Sequence, residues 1–333
     1  MSLESCQAIV AVLSKHYTNV GVSTVNNISD LDRLVTLRPD LVFMGMKFIP
    51  LDHSLGLDDP AKIWLAEYLD EHGITYTGSN KLAHKLELNK GLAKQRVAEA
   101  GLNTSIYQFV KQGQAMNWEN SNLEFPVFVK PSNRGGGQGI DSYSVANNHH
   151  QLNSKISSIA NVHQSDSLVE NYLSGREFSV AILKYQDTSE YNVMPIEIVA
   201  DIDIRGIRML GGEVKAANNE VILEVKDETL KARINSLALD VFEAIGARDY
   251  GRIDIRLDGN GTPHFLEANL IPSLISGYGS FPKSCLLNIG LDYEPMLLKI
   301  VRLGLKRNHH LINNLTEPDI SNDAVSLALA TAL

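Results

Sequence analysis

Two strand-like runs at residues 251–269 carry the side chains that most clearly suggest a chemical function. The two runs flank the dipeptide Asn260-Gly261. Asn-Gly is a strong hairpin signal, because both central residues of a type I′ turn need positive φ. With that pair at the centre of the turn, two pairs of polar residues face each other across the strands: Arg252 with Asn269, and Asp254 with Glu267. Since side chains alternate between the faces of a sheet, the other face is predicted to be apolar: Ile253, Ile255, Leu266 and Ala268.

The facing acids of this hairpin indicate a metal site. Directly opposed side chains have Cβ atoms about 5 Å apart, so like charges there repel unless a cation lies between them. Asp254, Glu267 and the amide oxygen of Asn269 form an oxygen-only ligand set, which suits Mg²⁺ or Mn²⁺ shared with substrate phosphates. A solvent-facing hairpin in which Arg252 forms a salt bridge with either acid explains the same residues equally well.

A glycine-rich loop at residues 132–139 follows a strand-like run that ends in Lys130. Glycines let successive backbone N–H groups point inward toward a phosphate. The loop matches neither the Walker A pattern nor G-x-G-x-x-G, and by itself it is also typical of a mobile surface loop. Lys130 and the metal-type hairpin together favour a nucleotide triphosphate as the ligand.

The turn at residues 170–177 carries an acid, a tyrosine and a second acid. Such a turn could hydrogen-bond an adenine amino group and ribose hydroxyls, but a charged hairpin turn explains the residues equally well. The spacing alone does not separate the two interpretations.

The composition indicates a globular chain of two or three domains, with 333 residues, 44% hydrophobic and 21% charged. A formal net charge of −9 argues against a nucleic-acid partner. No apolar run reaches the roughly 20 residues that span a bilayer, and residues 1–4 lack a signal-peptide pattern. The expected location is therefore the cytoplasm, without a membrane partner. Cys6 and Cys285 are expected to be ordinary buried thiols.

Helical and strand-like segments alternate around these motifs. Helical spacing is found at residues 4–16, 59–72, 82–100 and 228–245, and apolar runs typical of strands at 41–46, 126–130, 167–171, 177–184 and 192–200. The tail at 308–333 is weakly patterned, and we assign it no function.

Five segments together resemble the ATP-grasp superfamily and, within it, the D-alanine:D-alanine ligase family. They are YTGSNKLAHKLELNKGLAK at 76–94, FPVFVKPSNRGGGQGI at 125–140, ENYLSGREFSVAIL at 170–183, EVK at 213–215 and GRIDIRLDGNGTPHFLEANLIP at 251–272. The resemblance implies an ATP-grasp fold of mixed α/β and α+β class with ATP between the last two of three domains. These domains are a reduced N-terminal α/β domain at 1–78, a central domain with the glycine-rich loop at 79–184, and a C-terminal domain with the hairpin and tail at 185–333.

The resemblance also implies a role for each matching residue. The phosphates of ATP would bind Lys90, Lys130 and a closing loop of Gly135, Gly136, Gly137 and Gly139. Glu170, Tyr172 and Leu173 would form the adenine-side linker, and Glu177 would bind the ribose hydroxyls. Lys215 would approach the γ-phosphate, Arg252 would stabilise the transition state, and Asp254, Glu267 and Asn269 would hold two Mg²⁺ or Mn²⁺ ions.

The implied reaction is an ADP-forming ligation, in which ATP phosphorylates a carboxylate and an amine attacks the acyl phosphate. Small amino acids are the implied substrates, and a homodimer is the implied assembly. The ATP-side residues match the family, whereas the departures lie on the amino-acid side. The family's first strand and its acid have no counterpart ahead of the first helix. The segment KFIPLDHSLGLDDP at 47–60 replaces a histidine-glycine segment, and Ala216 replaces a tyrosine. The serine that holds the acceptor carboxylate in the family has no secure counterpart after Pro272.

These departures leave other functions open. One is ligation of another amino acid or a peptide. A second is nucleotide binding without ligase activity, and a third is a structural module in which the loop and the hairpin bind nothing.

Overall fold

The computed structural model describes residues 1–135, 137–185, 188–202, 205–208, 220–308 and 325–332. Gly136, Lys215 and Ala216 lie outside these ranges. The described part of the chain forms three main sheets and a short hairpin of β3 (Phe48–Ile49) and β4 (Ile63–Trp64). This mixture of helices and sheets agrees with the predicted α/β and α+β class. Within the same ranges, no helix combines the length and the apolarity that crossing a membrane requires.

The N-terminal sheet is parallel, and it is covered on both faces. Its strand order is β1 (Asn19–Thr24), β14 (Ser326–Thr331), β2 (Leu41–Met44). One face packs against α1 (Leu3–Leu13) and α9 (Tyr293–Leu305), the other against α2 (Ile28–Thr36) and α3 (Leu65–Glu71). Every side chain of β2 is buried, as expected for a parallel strand between two helical layers.

The central strand of this sheet comes from the tail, which the sequence pattern assigned to the C-terminal domain without a function. Residues Ser326–Thr331 pair with β1 on one side and β2 on the other. The leucines of β14 pack toward α1 and α9, and its alanines pack toward α2 and α3. Thr331 Oγ1 lies 2.7 Å from the carbonyl oxygen of Met1, so β14 occupies the position of a strand that leads into α1.

The central sheet is antiparallel and carries the glycine-rich loop. Its strand order is β5 (Tyr107–Val110), β8 (Ser167–Asn171), β6 (Val127–Pro131), β7 (Val145–Ala146). Helix α6 (His149–Val162) packs against it and shares its core. The loop connects β6 to β7, so it begins directly after Pro131, the residue that follows Lys130.

The C-terminal sheet is antiparallel and carries the hairpin. Its strand order is β11 (Val221–Glu224), β10 (Tyr191–Val199), β9 (Glu177–Lys184), β12 (Tyr250–Leu257), β13 (Pro263–Asn269). Helices α4 (Lys81–Leu88), α5 (Lys90–Glu99) and α7 (Glu228–Ala244) pack on one face. Helix α8 (Ser280–Ile289) packs on the other.

Sheet pairing divides the chain differently from the expected domain boundaries. The boundary at 184 separates β9 from β10, which are neighbours in one sheet. Helices α4 and α5, expected in the central domain, share a core with that same sheet. Strand pairing between distant segments, which local patterns do not report, therefore decides where each element belongs.

The position of β14 makes the tail essential for stability. Leu329 is fully buried at the centre of the N-terminal sheet, whereas Leu37 is 70% exposed. Leu329→Ala is expected to lower the free energy of unfolding by about 2–5 kcal/mol, because it leaves a cavity in a packed core. Leu37→Ala is the matched control and should change it by less than about 0.5 kcal/mol. Urea unfolding measures both, and equal effects of the two substitutions would contradict the central position of β14.

Candidate functional site

The hairpin of β12 and β13 has the predicted register on its site side. Arg252 lies opposite Asn269, and Asp254 lies opposite Glu267. The turn itself differs from the predicted type I′ turn, because only Gly261 has positive φ (+78°) and Asn260 does not. Asp258 closes a three-residue loop by accepting hydrogen bonds from the N–H groups of Asn260 and Thr262.

A β-bulge between Asp254 and Ile255 restores the predicted register. The unpaired residue of the bulge is Leu266, which was predicted to share the apolar face with Ile253 and Ile255. It lines a pocket together with Phe128 and Ile140 instead. The bulge turns the Leu266 side chain from the apolar face toward the pocket, and bulges commonly have this effect near functional sites.

The pocket brings together residues from the central and the C-terminal sheets. It contains these predicted residues: Lys130, Glu170, Tyr172, Leu173, Glu177, Asp254 and Glu267. Sequence reasoning missed Phe128, Ile140, Asn171, Arg256 and Leu266, which also line it. Period-2 alternation along β12 was the signal for Arg256, since it continues the face of Arg252 and Asp254.

Glu170 is a buried counter-ion for two lysines. Lys130 Nζ lies 2.5 Å from Glu170 Oε1, and Lys94 Nζ lies 2.8 Å from Glu170 Oε2. Burial alone would raise the pKa of Glu170, but the charges of Lys130 and Lys94 hold it well below its ordinary value. Burial also lowers the pKa of Lys94, against the opposing effect of Glu170. The Glu170 side chain therefore fixes Lys130 in the pocket wall.

Lys90 reaches Glu267 at the edge of the pocket because the helix predicted over 82–100 is interrupted. Asn89 has extended backbone (φ −108°, ψ 91°), and its side chain accepts a hydrogen bond from Leu92 N–H at the start of α5. Lys90 is then the first residue of α5, and its Nζ lies 3.6 Å from Glu267 Oε2. Burial lowers the pKa of Lys90, while Glu267 opposes that shift.

Asp254 and Arg252 form a buried ion pair on the expected metal-binding face. Arg252 donates from Nε to Oδ1 (2.9 Å) and from Nη2 to Oδ2 (2.8 Å) of Asp254. Burial opposes the charge of Arg252, but the Asp254 carboxylate raises its pKa above the ordinary value. Ser179 and Asn269 also donate to Asp254. The salt bridge expected for the metal-free alternative is thus present, although the face lines a pocket rather than open solvent.

The residues of this face fit a divalent ion only in part. Within the described ranges, no group of three or more His, Cys, Asp or Glu side chains could hold a metal ion. Asp254, Glu267 and Asn269 supply two carboxylates and one amide, so phosphate and water oxygens would have to complete the shell. Asn269 presents its Nδ2 to Asp254 and would have to turn its oxygen toward an ion.

The glycine-rich loop lies next to the pocket, since Lys130 before it and Ile140 directly after it both line the pocket. Gly137 and Gly139 have positive φ (+80° and +73°). A Cβ at Gly139 would lie 2.5 Å from Pro131 Cγ, so glycine satisfies both the conformation and the space. Gly135 has open space around it, and Gly136 lies outside the described residues.

The loop is tied to its surroundings through Arg134. Lys90 Nζ donates to the carbonyl oxygen of Arg134 (2.5 Å), and Arg134 Nη2 donates to Asp58 Oδ2 (3.0 Å). Asp58 belongs to the segment 47–60 that departs from the family. This segment therefore contacts the loop that would cover the phosphates.

A second pocket shares Glu177, Asp254 and Glu267 with the first and extends past Arg252 to the start of α8. Ser280 begins α8, and its Oγ accepts a hydrogen bond from Arg252 Nη1 (3.0 Å). Sequence reasoning missed this serine as a partner of Arg252. Its position at a helix start was the available signal, because helix N-termini favour carboxylates.

Glu87 joins three parts of the chain behind this pocket, and sequence reasoning missed it. It accepts hydrogen bonds from Lys47 Nζ (2.6 Å) and from the N–H of Leu270 (2.8 Å), the residue after Asn269. His84 Nδ1 lies 3.0 Å from its other oxygen. Burial alone would raise the pKa of Glu87, but Lys47 and His84 lower it to about 2. Glu87 therefore anchors the end of β13 to α4 and to the segment between β2 and β3.

Comparison with known families and proteins gives consistent matches. Residues 97–302 match the family described as D-ala D-ala ligase C-terminus. The D-alanine–D-alanine ligase of Actinobacillus pleuropneumoniae serotype 5b is 28% identical over 240 residues, which cover 71% of this chain and 74% of that protein. The D-alanine–D-alanine ligase of Streptococcus agalactiae serotype Ia is 29% identical over 301 residues, covering 86% and 81%.

A solved structure shares the fold. The crystal structure of D-alanine–D-alanine ligase from Bacillus anthracis complexed with ATP superposes with a TM-score of 0.65 at 22% identity, and the match covers 86% of each chain. The predicted ATP-grasp fold is confirmed by this likeness.

The Glu87 ion pair predicts a pH-dependent contribution to stability. The pKa of Glu87 is lowered from its ordinary value of 4.5 to about 2 in the folded chain. The charged Glu87 therefore stabilises the fold fully above pH 4.5, and this contribution is lost as the pH falls toward 2. Glu87→Gln is expected to lower the free energy of unfolding at pH 7 by about 3–5 kcal/mol, as loss of one partner of a buried pair does.

Urea titrations of wild type and variant at pH 7, 5 and 3 measure this difference, which should shrink at low pH. Glu71→Gln, on an exposed helical glutamate, is the control and should show little difference at any pH. A wild-type advantage over Glu87→Gln that stays constant down to pH 3 would contradict the assignment.

Proposed function

Since the chain belongs to the D-alanine–D-alanine ligase family and is an ATP-dependent ligase, we propose that it joins the carboxylate of one small amino acid to the amine of another. D-Alanine is the first candidate substrate. ATP transfers its γ-phosphoryl group to the first carboxylate, which forms an acyl phosphate and ADP. The amine of the second amino acid then attacks the carbonyl carbon, phosphate leaves, and the nitrogen loses a proton.

The observation that carries this proposal is the meeting of cations and carboxylates in and beside one pocket. Lys90 and Lys130 come from α5 and β6, whereas Asp254 and Glu267 come from the hairpin. Lysines neutralise phosphate oxygens, and carboxylates suit the divalent ions that accompany a nucleotide triphosphate. Ion pairs with a purely structural role would not need to line a common pocket, as Lys130, Asp254 and Glu267 do.

Apolar side chains give the pocket a slot for a base. Phe128, Ile140 and Leu266 line it beside the linker residues Tyr172 and Leu173. A base in this slot would place the phosphates toward Lys90, Lys130 and the glycine-rich loop. Glu177 lines the same pocket, at a position suited to the ribose hydroxyls.

Arg252 and Ser280 are suited to the amino-acid side of the reaction. Arg252 Nη1 donates to Ser280 Oγ at the start of α8, next to the expected metal-binding face. A permanent positive charge there would stabilise the charge that develops on the acyl phosphate and on the tetrahedral adduct. The start of α8 offers backbone N–H groups to a carboxylate.

A divalent ion, when bound, would supply positive charge that reduces repulsion between the phosphates. We propose two Mg²⁺ or Mn²⁺ ions, held by Asp254, Glu267 and the oxygen of Asn269. Lys215 lies outside the described residues, and its role at the γ-phosphate rests on the family resemblance. A cytoplasmic homodimer is the proposed form of the protein.

An amino-acid panel tests the activity directly. The chain is incubated with ATP, Mg²⁺ and single or paired D- and L-amino acids, and phosphate release is measured. We expect release that depends on an added amino acid, with D-alanine among the active ones. If no amino acid or short peptide causes phosphate release, although ATP raises the melting temperature, the ligase proposal is wrong and the chain only binds the nucleotide.

The two acids of the hairpin should separate activity from stability. Glu267→Gln is expected to lower kcat at least about 100-fold, because it removes a metal ligand. Its effect on melting temperature should be smaller than that of Asp254→Ala, because Glu267 is partly exposed and lies 3.6 Å from Lys90. Asp254→Ala should lower kcat and also destabilise the fold by about 3–5 kcal/mol, since it leaves the buried Arg252 without its partner. Wild-type kcat in Glu267→Gln would count against the proposed metal role.

A further inference from the structure

Arg256 is a buried arginine that the proposed ligation does not account for. It continues the face of Arg252 and Asp254 along β12 and is 8% exposed. It lines the nucleotide pocket and also an adjoining pocket that shares Tyr172 and Glu177. Burial of a guanidinium has a large desolvation cost, so its partners indicate its purpose.

The guanidinium of Arg256 is held by four groups. Nε donates to the carbonyl oxygen of Gly175 (3.2 Å), and Nη1 donates to Glu177 Oε2 (3.2 Å). Nη2 donates to the carbonyl oxygen of Arg208 (2.9 Å) and to the hydroxyl of Tyr172 (3.3 Å). Its Cζ also lies 5.4 Å from the centre of the Tyr172 ring. Because the guanidinium is planar and has four partners, these contacts fix the Arg256 side chain in one orientation.

Arg256 therefore fixes the residue proposed to bind the ribose. Glu177 is the direct cross-strand partner of Arg256, so the contact is set by the pairing of β12 with β9. A carboxylate has about four lone-pair sites and can accept from a guanidinium and from hydroxyls together. Because the guanidinium orients the carboxylate in advance, a nucleotide does not lose affinity in ordering it.

We propose that Arg256 is a positioning residue that makes the nucleotide site selective for ribonucleotides over deoxyribonucleotides. It holds Glu177 in the orientation that accepts hydrogen bonds from the ribose hydroxyls, and it holds Tyr172 beside it. The inference rests on the proposed function, since it takes ATP as the ligand of this pocket. A site that hydrogen-bonds a hydroxyl binds the analogue that lacks it less tightly, because a charge-assisted hydrogen bond is lost.

Binding of ATP, 2′-deoxy-ATP and 3′-deoxy-ATP with Mg²⁺ tests the inference by calorimetry. The wild-type chain is expected to bind ATP at least about tenfold more tightly than either deoxy analogue, the effect of one charge-assisted hydrogen bond. Arg256→Met should bind all three within a factor of about three. Arg176→Met is the control, because Arg176 pairs with Glu197 instead, and it should keep the wild-type preference.

A double variant separates positioning from a general structural role. If Arg256 acts through Glu177, adding Arg256→Met to Glu177→Gln should not reduce the preference for ATP further. If Arg256→Met does not fold, Arg256→Lys keeps the charge without the fork and should also show a reduced preference. Melting temperatures confirm which variants are folded.

Three results would overturn the inference alone. They are a wild-type preference for ATP in a folded Arg256→Met or Arg256→Lys chain, an equal loss of affinity for all three nucleotides, and additive effects in the double variant. A wild-type chain that binds none of the nucleotides would instead refute the proposed function, and this inference with it.

Discussion

Opposite charges buried against each other hold the site together. Glu170 lies between Lys94 and Lys130, and Asp254 lies against Arg252. Each charge alone would be expensive to remove from water, and each pair limits that cost. The pairs also keep the lysines and carboxylates in place before any nucleotide arrives. The strands and helices around the pocket are arranged so that these partners, which are distant in sequence, meet.

The hairpin shows how far a local pattern can predict a site. Period-2 alternation placed Arg252, Asp254 and Glu267 on one face, and the structure agrees. The predicted turn was wrong, because the observed turn is one residue longer and shifts the pairing next to it by one residue. The unpaired Leu266 of the bulge shifts the pairing back, so the predicted register of Asp254 and Glu267 is right. A bulge depends on packing between sheets, so the sequence pattern could not place Leu266.

Other features depend on contacts between distant segments. The tail lacks a strong pattern of its own, but β1 and β2 supply its hydrogen bonds and two helical layers supply its core. The sequence pattern does not distinguish Glu87 from other helical glutamates, because its partners Lys47 and Leu270 are distant in sequence and meet it only in the fold. Ser280 becomes visible as a partner of Arg252 only through the path of the chain after Pro272. Local spacing carries none of this information.

The order of synthesis gives β14 a consequence for the nascent chain. Strands β1 and β2 are synthesised first, and the strand that separates them follows only after residues 45–325 have been made. At about 5–20 residues per second, that interval is on the order of tens of seconds. During it, the facing edges of β1 and β2 offer unpaired backbone groups to any other extended segment. Pairing in this sheet must therefore wait until β14 has been synthesised, and until then the unpaired edges are a site that molecular chaperones can protect.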